Sequence, residues 1–84
     1  MLLTQPICRA ARSLAGWSAV DLANNSGVSI DTLRSFESGR TKTLSAGNQD
    51  AVMRALEAAG VEFIAENGGG AGVRLRKQGA SSDG

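Results

Sequence analysis

The chain has no histidine, no tyrosine, one cysteine (Cys8) and one proline (Pro6) among its 84 residues. Without histidine there is no Ser-His-Asp or Cys-His nucleophile pair and no Cys/His zinc site. A single thiol closes no disulfide within the chain. The carboxylates show no paired catalytic arrangement either. The expectation is therefore a chain that is not an enzyme and holds no metal or cofactor. The longest run free of charge, Leu22 to Ile30, falls far short of the roughly 18 apolar residues a bilayer span needs. The opening Met-Leu-Leu-Thr-Gln-Pro has neither the basic nor the apolar region of a secretory signal. These absences, with a lone cysteine suited to a reducing compartment, predict a cytoplasmic protein with no membrane partner.

Aromatic residues are scarce as well, limited to Trp17, Phe36 and Phe63, although 42% of the chain is hydrophobic. The core must be small and aliphatic. A chain of this length buries only about 60% of the surface its unfolded form exposes, which predicts one domain and makes self-association the expected way to complete the core.

The formal net charge of +1 is unevenly spread. Residues 1–44 carry Arg9, Arg12, Arg34, Arg40 and Lys42 against Asp21, Asp31 and Glu37, a net of +2. Residues 45–67 are acidic at −3, and the remainder returns to +2. A polyanion is expected to meet the N-terminal half or the tail rather than the acidic middle.

Glycines at 16, 27, 39, 47 and 60 punctuate the chain, four of them in the position of a helix C-cap. A first helix is predicted from about Pro6 to Ala15, with Cys8, Ala11 and Leu14 or Ala15 on its apolar stripe. Ser18 and Asp21 form a capping-box pair that opens a second helix ending at Ser26. Ser29 caps a third, with Asp31 in its first turn, Leu33 and Phe36 facing inward, and Gly39 closing it. A loop from Arg40 to Thr43 leads to a fourth, about Ser45 to Ala59, whose first turn Gly47 and Gln49 weaken. After Gly60 the period becomes two. Val61, Phe63 and Ala65 share one face, and Val73 and Leu75 repeat the pattern beyond a glycine-rich link, which predicts a β-hairpin. Residues 1–59 thus form the helical domain, 60–77 the hairpin extension, and 78–84 a small polar tail expected to be disordered.

The spacing around Gly27 carries the functional signal. Two helices crossing through a short turn need a small residue at the crossing, Ala23, a left-handed glycine, Gly27, and fillers for the angle, Val28, Leu33 and Phe36. The stretch from Trp17 to Arg40, Trp-Ser-Ala-Val-Asp-Leu-Ala-Asn-Asn-Ser-Gly-Val-Ser-Ile-Asp-Thr-Leu-Arg-Ser-Phe-Glu-Ser-Gly-Arg, resembles the helix-turn-helix of the phage-repressor-like (XRE) family over about residues 7–59. The resemblance implies a mainly α fold, a lambda-repressor-like four-helix DNA-binding domain, here followed by a two-stranded hairpin. It implies a sequence-specific transcriptional regulator, whose third helix enters the major groove of double-stranded DNA.

By the family's pattern the reading residues are Ile30, Asp31, Arg34 and Ser35. Groove chemistry lets Asp31 accept from cytosine N4, Ile30 touch a thymine methyl, and Arg34 reach guanine or a phosphate. The phosphate candidates are the backbone amides at Ser18 and Ser29 together with Arg40, Thr41 and Lys42. Ala19 stands where the family commonly has glutamine, and the third helix sums to −1. One module is therefore expected to bind weakly, and a homodimer reading half-sites roughly 34 Å apart to restore affinity through the hairpin. Glu37 resembles the family's acidic residue that pairs with an arginine of the first helix, here Arg12, a structural role.

Other features take ordinary readings. Cys8 is expected to be an inert core thiol, Arg9, Arg74, Arg76 and Lys77 solvated charges, and Trp17 packing between the first two helices. The Asn67 to Gly72 run fits neither phosphate-loop spacing and reads as a flexible link. The competing function is an antitoxin or adaptor that holds a protein partner on the exposed hairpin edge and binds DNA secondarily.

Overall fold

A computed structural model describes residues 1–76. Four helices and a hairpin follow in order: α1 (Gln5–Ala15), α2 (Ala19–Ser26), α3 (Ile30–Glu37), α4 (Ala46–Ala58), β1 (Val61–Ile64) and β2 (Gly72–Leu75). The mainly helical fold with a C-terminal two-stranded hairpin is the one the sequence predicts. The tail expected to be disordered lies outside the described residues.

Every helix starts on a hydroxyl. The side chains of Thr4, Ser18, Ser29 and Ser45 accept from the backbone N–H groups of Ile7, Asp21, Thr32 and Asn48, donors that the helix itself leaves without a partner. Helices α1 and α2 end on left-handed glycines, Gly16 and Gly27. Helix α3 stops earlier than expected. Its cap is Ser38 in a right-handed conformation, and Gly39, at φ 89°, turns the chain one residue later.

The core is aliphatic apart from Phe36. Leu3, Cys8, Ala11, Leu22, Val28, Leu33, Phe36, Leu44, Val52, Leu56 and Val61 are buried. Ala15, not the 38% exposed Leu14, completes the inner stripe of α1. Leu3 and Leu44 come from segments outside the helices, where periodicity gives no warning of burial. The N-terminal segment is held by Gln49 of α4, whose Oε1 accepts from the Leu3 N–H at 2.9 Å and whose Nε2 donates to the Met1 carbonyl at 2.9 Å. Gln49, expected to weaken the first turn of α4, instead seats Leu3 in the core.

The hairpin pairs Val61 with Leu75, Glu62 with Arg74, Phe63 with Val73 and Ile64 with Gly72 in antiparallel register, and it docks on α1 and α4. Val61 is buried, and Phe63 and Val73 pack against the core. Strand β1 ends at Ile64, leaving Ala65 exposed beyond it, and Leu75, although it pairs with the buried Val61, is 52% exposed. Helix α1 touches α3 and α4 as well as both strands, so one helix ties the hairpin to the α2–α3 pair.

Candidate nucleic-acid interface

The junction of α2 and α3 is set by backbone. The Gly27 N–H donates to the Ala23 carbonyl at 2.9 Å, and the Val28 N–H donates to Ser26 Oγ at 3.2 Å. Gly27 sits at φ 78° with nothing within 4 Å of where a Cβ would lie. The turn needs glycine for its left-handed conformation, not for space. Val28, Leu33 and Phe36 then fill the angle, each nearly or fully buried.

With Leu33 and Phe36 turned inward, α3 presents Asp31 and Arg34 to solvent and leaves Ile30 and Ser35 half-buried. Glu37 also turns inward. Its carboxylate accepts from Arg12 Nε at 3.1 and 3.2 Å and from Arg12 Nη2 at 3.0 Å, while Arg12 Nη1 donates to the Trp17 carbonyl at 3.0 Å. The Cys8 thiol donates to Glu37 Oε2 at 3.4 Å. Burial and the neighbouring carboxylate push the Cys8 pKa up to about 12, so this thiol is inert. Carboxylate, thiol and guanidinium lock α1 to α3, the structural role expected for Arg12 and Glu37.

This pairing revises the charge of the surface. The −1 counted along α3 includes Glu37, which Arg12 neutralises from behind. The exposed charges that remain on α3 are Asp31 and Arg34, a net of zero, and the exposed Arg40 and Lys42 of the following loop bring the two segments together to +2.

The structure brings some of the predicted residues together. Asp31, Arg34, Ser35 and Arg40 line one cleft of about 420 Å³, and Ser38 joins them. Sequence reading missed Ser38, although it follows Arg34 by four residues and Ser35 by three, the separations that share a helical face. Ser18, Ser29, Ile30, Thr41 and Lys42 lie outside that cleft. The Ser18 amide is also committed, since it donates to Asp21 Oδ2 at 2.9 Å within the capping box. The backbone donors left at the start of α2 are those of Ala19 and Val20.

A family model described as a helix-turn-helix domain matches residues 9–63, more than half of the chain. The chain belongs to the helix-turn-helix domain family. No curated protein matches it. In this helix-turn-helix domain α2 and α3 are the two helices of the motif, Gly27 lies in its turn, and α1 and α4 supply the packing that holds them. The matched stretch runs into β1 and so includes Val61 of the core. Among the described residues no helix is long and apolar enough to cross a membrane.

Proposed function

We propose that this helix-turn-helix protein is a sequence-specific DNA-binding transcriptional regulator of the phage-repressor-like kind, acting as a homodimer and not as an enzyme. The observation that carries the reading is the division of α3. Leu33, Phe36 and Glu37 are turned into the fold, while Asp31 and Arg34 stand outward and share a cleft with the cationic Arg40, and Lys42 is exposed two residues further on. A helix of this kind places its N-terminal side chains at base edges in the major groove, and the flanking cations meet phosphates. Ile30 and Asp31 read bases, Arg34 and Ser35 lie further along the same helix, and Ser29, Arg40, Thr41 and Lys42, with the start of α2 that Ser18 caps, flank them toward the backbone. Residues 1–59 do the reading, and the hairpin of residues 60–77 joins two copies.

Selection of binding sites from a random duplex pool by the full-length chain, at near-physiological salt, tests this directly. The expected product is a short inverted repeat with a fixed centre spacing. A single unrepeated motif would remove the homodimer and leave the DNA reader. No enriched motif would remove sequence-specific binding.

A second reading has one observation in its favour. Strand β2 lies at a sheet edge, with Arg74 and the 52% exposed Leu75 on it, and such an edge accepts a foreign strand. In that case the chain is an antitoxin or adaptor with secondary DNA binding. Sedimentation equilibrium at tens of micromolar separates the two, since an adaptor without its partner is monomeric and the regulator is dimeric.

A further inference from the structure

Ser35 sits at the centre of a small network that ties the loop after α3 back onto the helix. Its carbonyl accepts from the Thr41 N–H at 3.0 Å and from Ser38 Oγ at 3.1 Å. Its hydroxyl oxygen accepts from Arg40 Nη2 at 3.2 Å. Three groups of residues 38–41 therefore converge on one residue of α3, and the Arg40 guanidinium is held at the mouth of the cleft that Arg34 also lines.

The proton inventory of this cleft is specific. The Ser38 hydroxyl proton is spent on the Ser35 carbonyl, whereas the Ser35 hydroxyl, which only accepts from Arg40, keeps its own proton to donate. Arg40 uses one of five N–H donors on Ser35, and the others remain available, as do those of Arg34. Asp31 is the one anionic side chain lining the cleft, against two guanidiniums. The cleft is thus a cationic seat with several N–H donors and one O–H donor, the chemistry that recognises a phosphate group. Asp31 lines its end at the first turn of α3, and Arg34, Ser35, Ser38 and Arg40 carry it along the C-terminal half of the helix into the following loop.

We propose that this cleft seats one backbone phosphate of DNA, held by Arg34, Arg40 and the Ser35 hydroxyl. Ser35 is then a positioning residue for Arg40 and not a reader of bases, contrary to what the family resemblance implies for it. The proposal rests on the DNA-binding reading above.

The test uses the full-length chain and a duplex it selects, with Ser35→Ala, Ser35→Thr, Arg40→Ala and the double variant Ser35→Ala/Arg40→Ala, each checked for unchanged helicity. Arg40→Ala is expected to weaken binding roughly tenfold on every sequence and to flatten the slope of log affinity against log salt by about one. Ser35→Ala is expected to reproduce part of both effects without changing the ranking of sequences. Ser35→Thr, which keeps the hydroxyl, restores wild-type binding, and the double variant is weaker than Arg40→Ala by less than Ser35→Ala costs on its own. Replacing phosphates one at a time by neutral methylphosphonate identifies a position that costs the wild type clearly more affinity than it costs Arg40→Ala.

A relaxed preference at one base pair in Ser35→Ala, with the salt slope intact, overturns the proposal and makes Ser35 a base reader. So does an additive double variant, or a methylphosphonate scan in which no position distinguishes the wild type from Arg40→Ala. A wild-type chain that binds no duplex at all also ends it, but by the separate failure of the DNA-binding reading.

Discussion

Among the described residues two arginine–glutamate pairs lie at nearly the same distance, Arg12 with Glu37 at 3.0 Å and Arg74 with Glu62 at 3.1 Å. Their surroundings differ. The first joins α1 to α3 with side chains 24% and 10% exposed, and its arginine also holds the Trp17 carbonyl. The second crosses the hairpin with side chains 64% and 42% exposed. Arg74 draws the Glu62 carboxyl below its ordinary range, yet both partners remain bathed in solvent that screens them. Distance alone does not rank ion pairs. What does is whether removing one partner strands the other away from water.

The same contrast runs through the apolar residues, with Leu33 of α3 fully buried and Leu75 52% exposed at the hairpin edge. The comparison would break first in the core. Leu33→Ala is expected to cost about 4 kcal/mol by denaturant unfolding, since truncating a fully buried leucine leaves a cavity in the core, while Leu75→Ala costs less than about 1 kcal/mol. A Leu75→Ala loss as large as that of Leu33→Ala would mean that β2 is covered in solution by a second copy.

Arg12→Ala comes next, at about 3 kcal/mol, because Glu37 is left partly buried without its partner. For a domain of this size that lowers Tm by roughly 12 °C or more. Arg74→Ala is expected to leave the melting curve where it was, and 1 M salt to erase even that small contribution. A smaller effect sharpens the contrast from the alkaline side. In the unfolded chain the Cys8 thiol ionises near its ordinary 9.0, whereas in the fold it holds its proton to about 12. Stability should therefore fall as pH rises from about 9 toward 12, and Cys8→Ser or Cys8→Ala should remove that slope. At neutral pH a thiol-reactive reagent should modify Cys8 only at the rate of unfolding. The smallest effect is on the acid side. The Glu62–Arg74 pair contributes above the ordinary carboxylate range and is lost as pH falls through the lowered Glu62 value, a change that Glu62→Gln should abolish.

The helical part was readable in the residues because its signals are local. Hydroxyl caps, left-handed glycines and the spacing from Ala23 to Phe36 each act within a few positions, and Ser18, Ser29, Gly27, Leu33 and Phe36 all take the places that spacing gives them. Leu3, Leu44 and Gln49 did not announce themselves, since their roles depend on partners far along the chain. Gln49 bonds to Met1 and Leu3, more than forty residues away. The hairpin was seen but its details were not, because period two fixes which residues share a face and says nothing of where the supporting helices end. Of the candidate site, the grouping of Asp31, Arg34, Ser35 and Arg40 follows from helical spacing plus a short loop. The commitment of the Ser18 amide follows from the capping box that Ser18 and Asp21 announce, and the turning of Glu37 toward Arg12 from the family resemblance, whereas the ties of Ser38, Arg40 and Thr41 to Ser35 are hydrogen bonds that a residue count does not reveal.

The inward lock of Glu37 on Arg12 also bears on how such a chain can change over generations. Eight residues of α3 serve two masters: Leu33, Phe36 and Glu37 answer to the fold, Asp31 and Arg34 answer to solvent, and Ile30, Thr32 and Ser35 stand half-buried between the two. Substitutions at the second pair touch no core atom and no cap, so they are expected to lie within about half a kcal/mol of neutral for stability. New binding preferences can then be sampled without first passing through an unfolded ancestor, and the fold is a fixed chassis on which the outward residues drift.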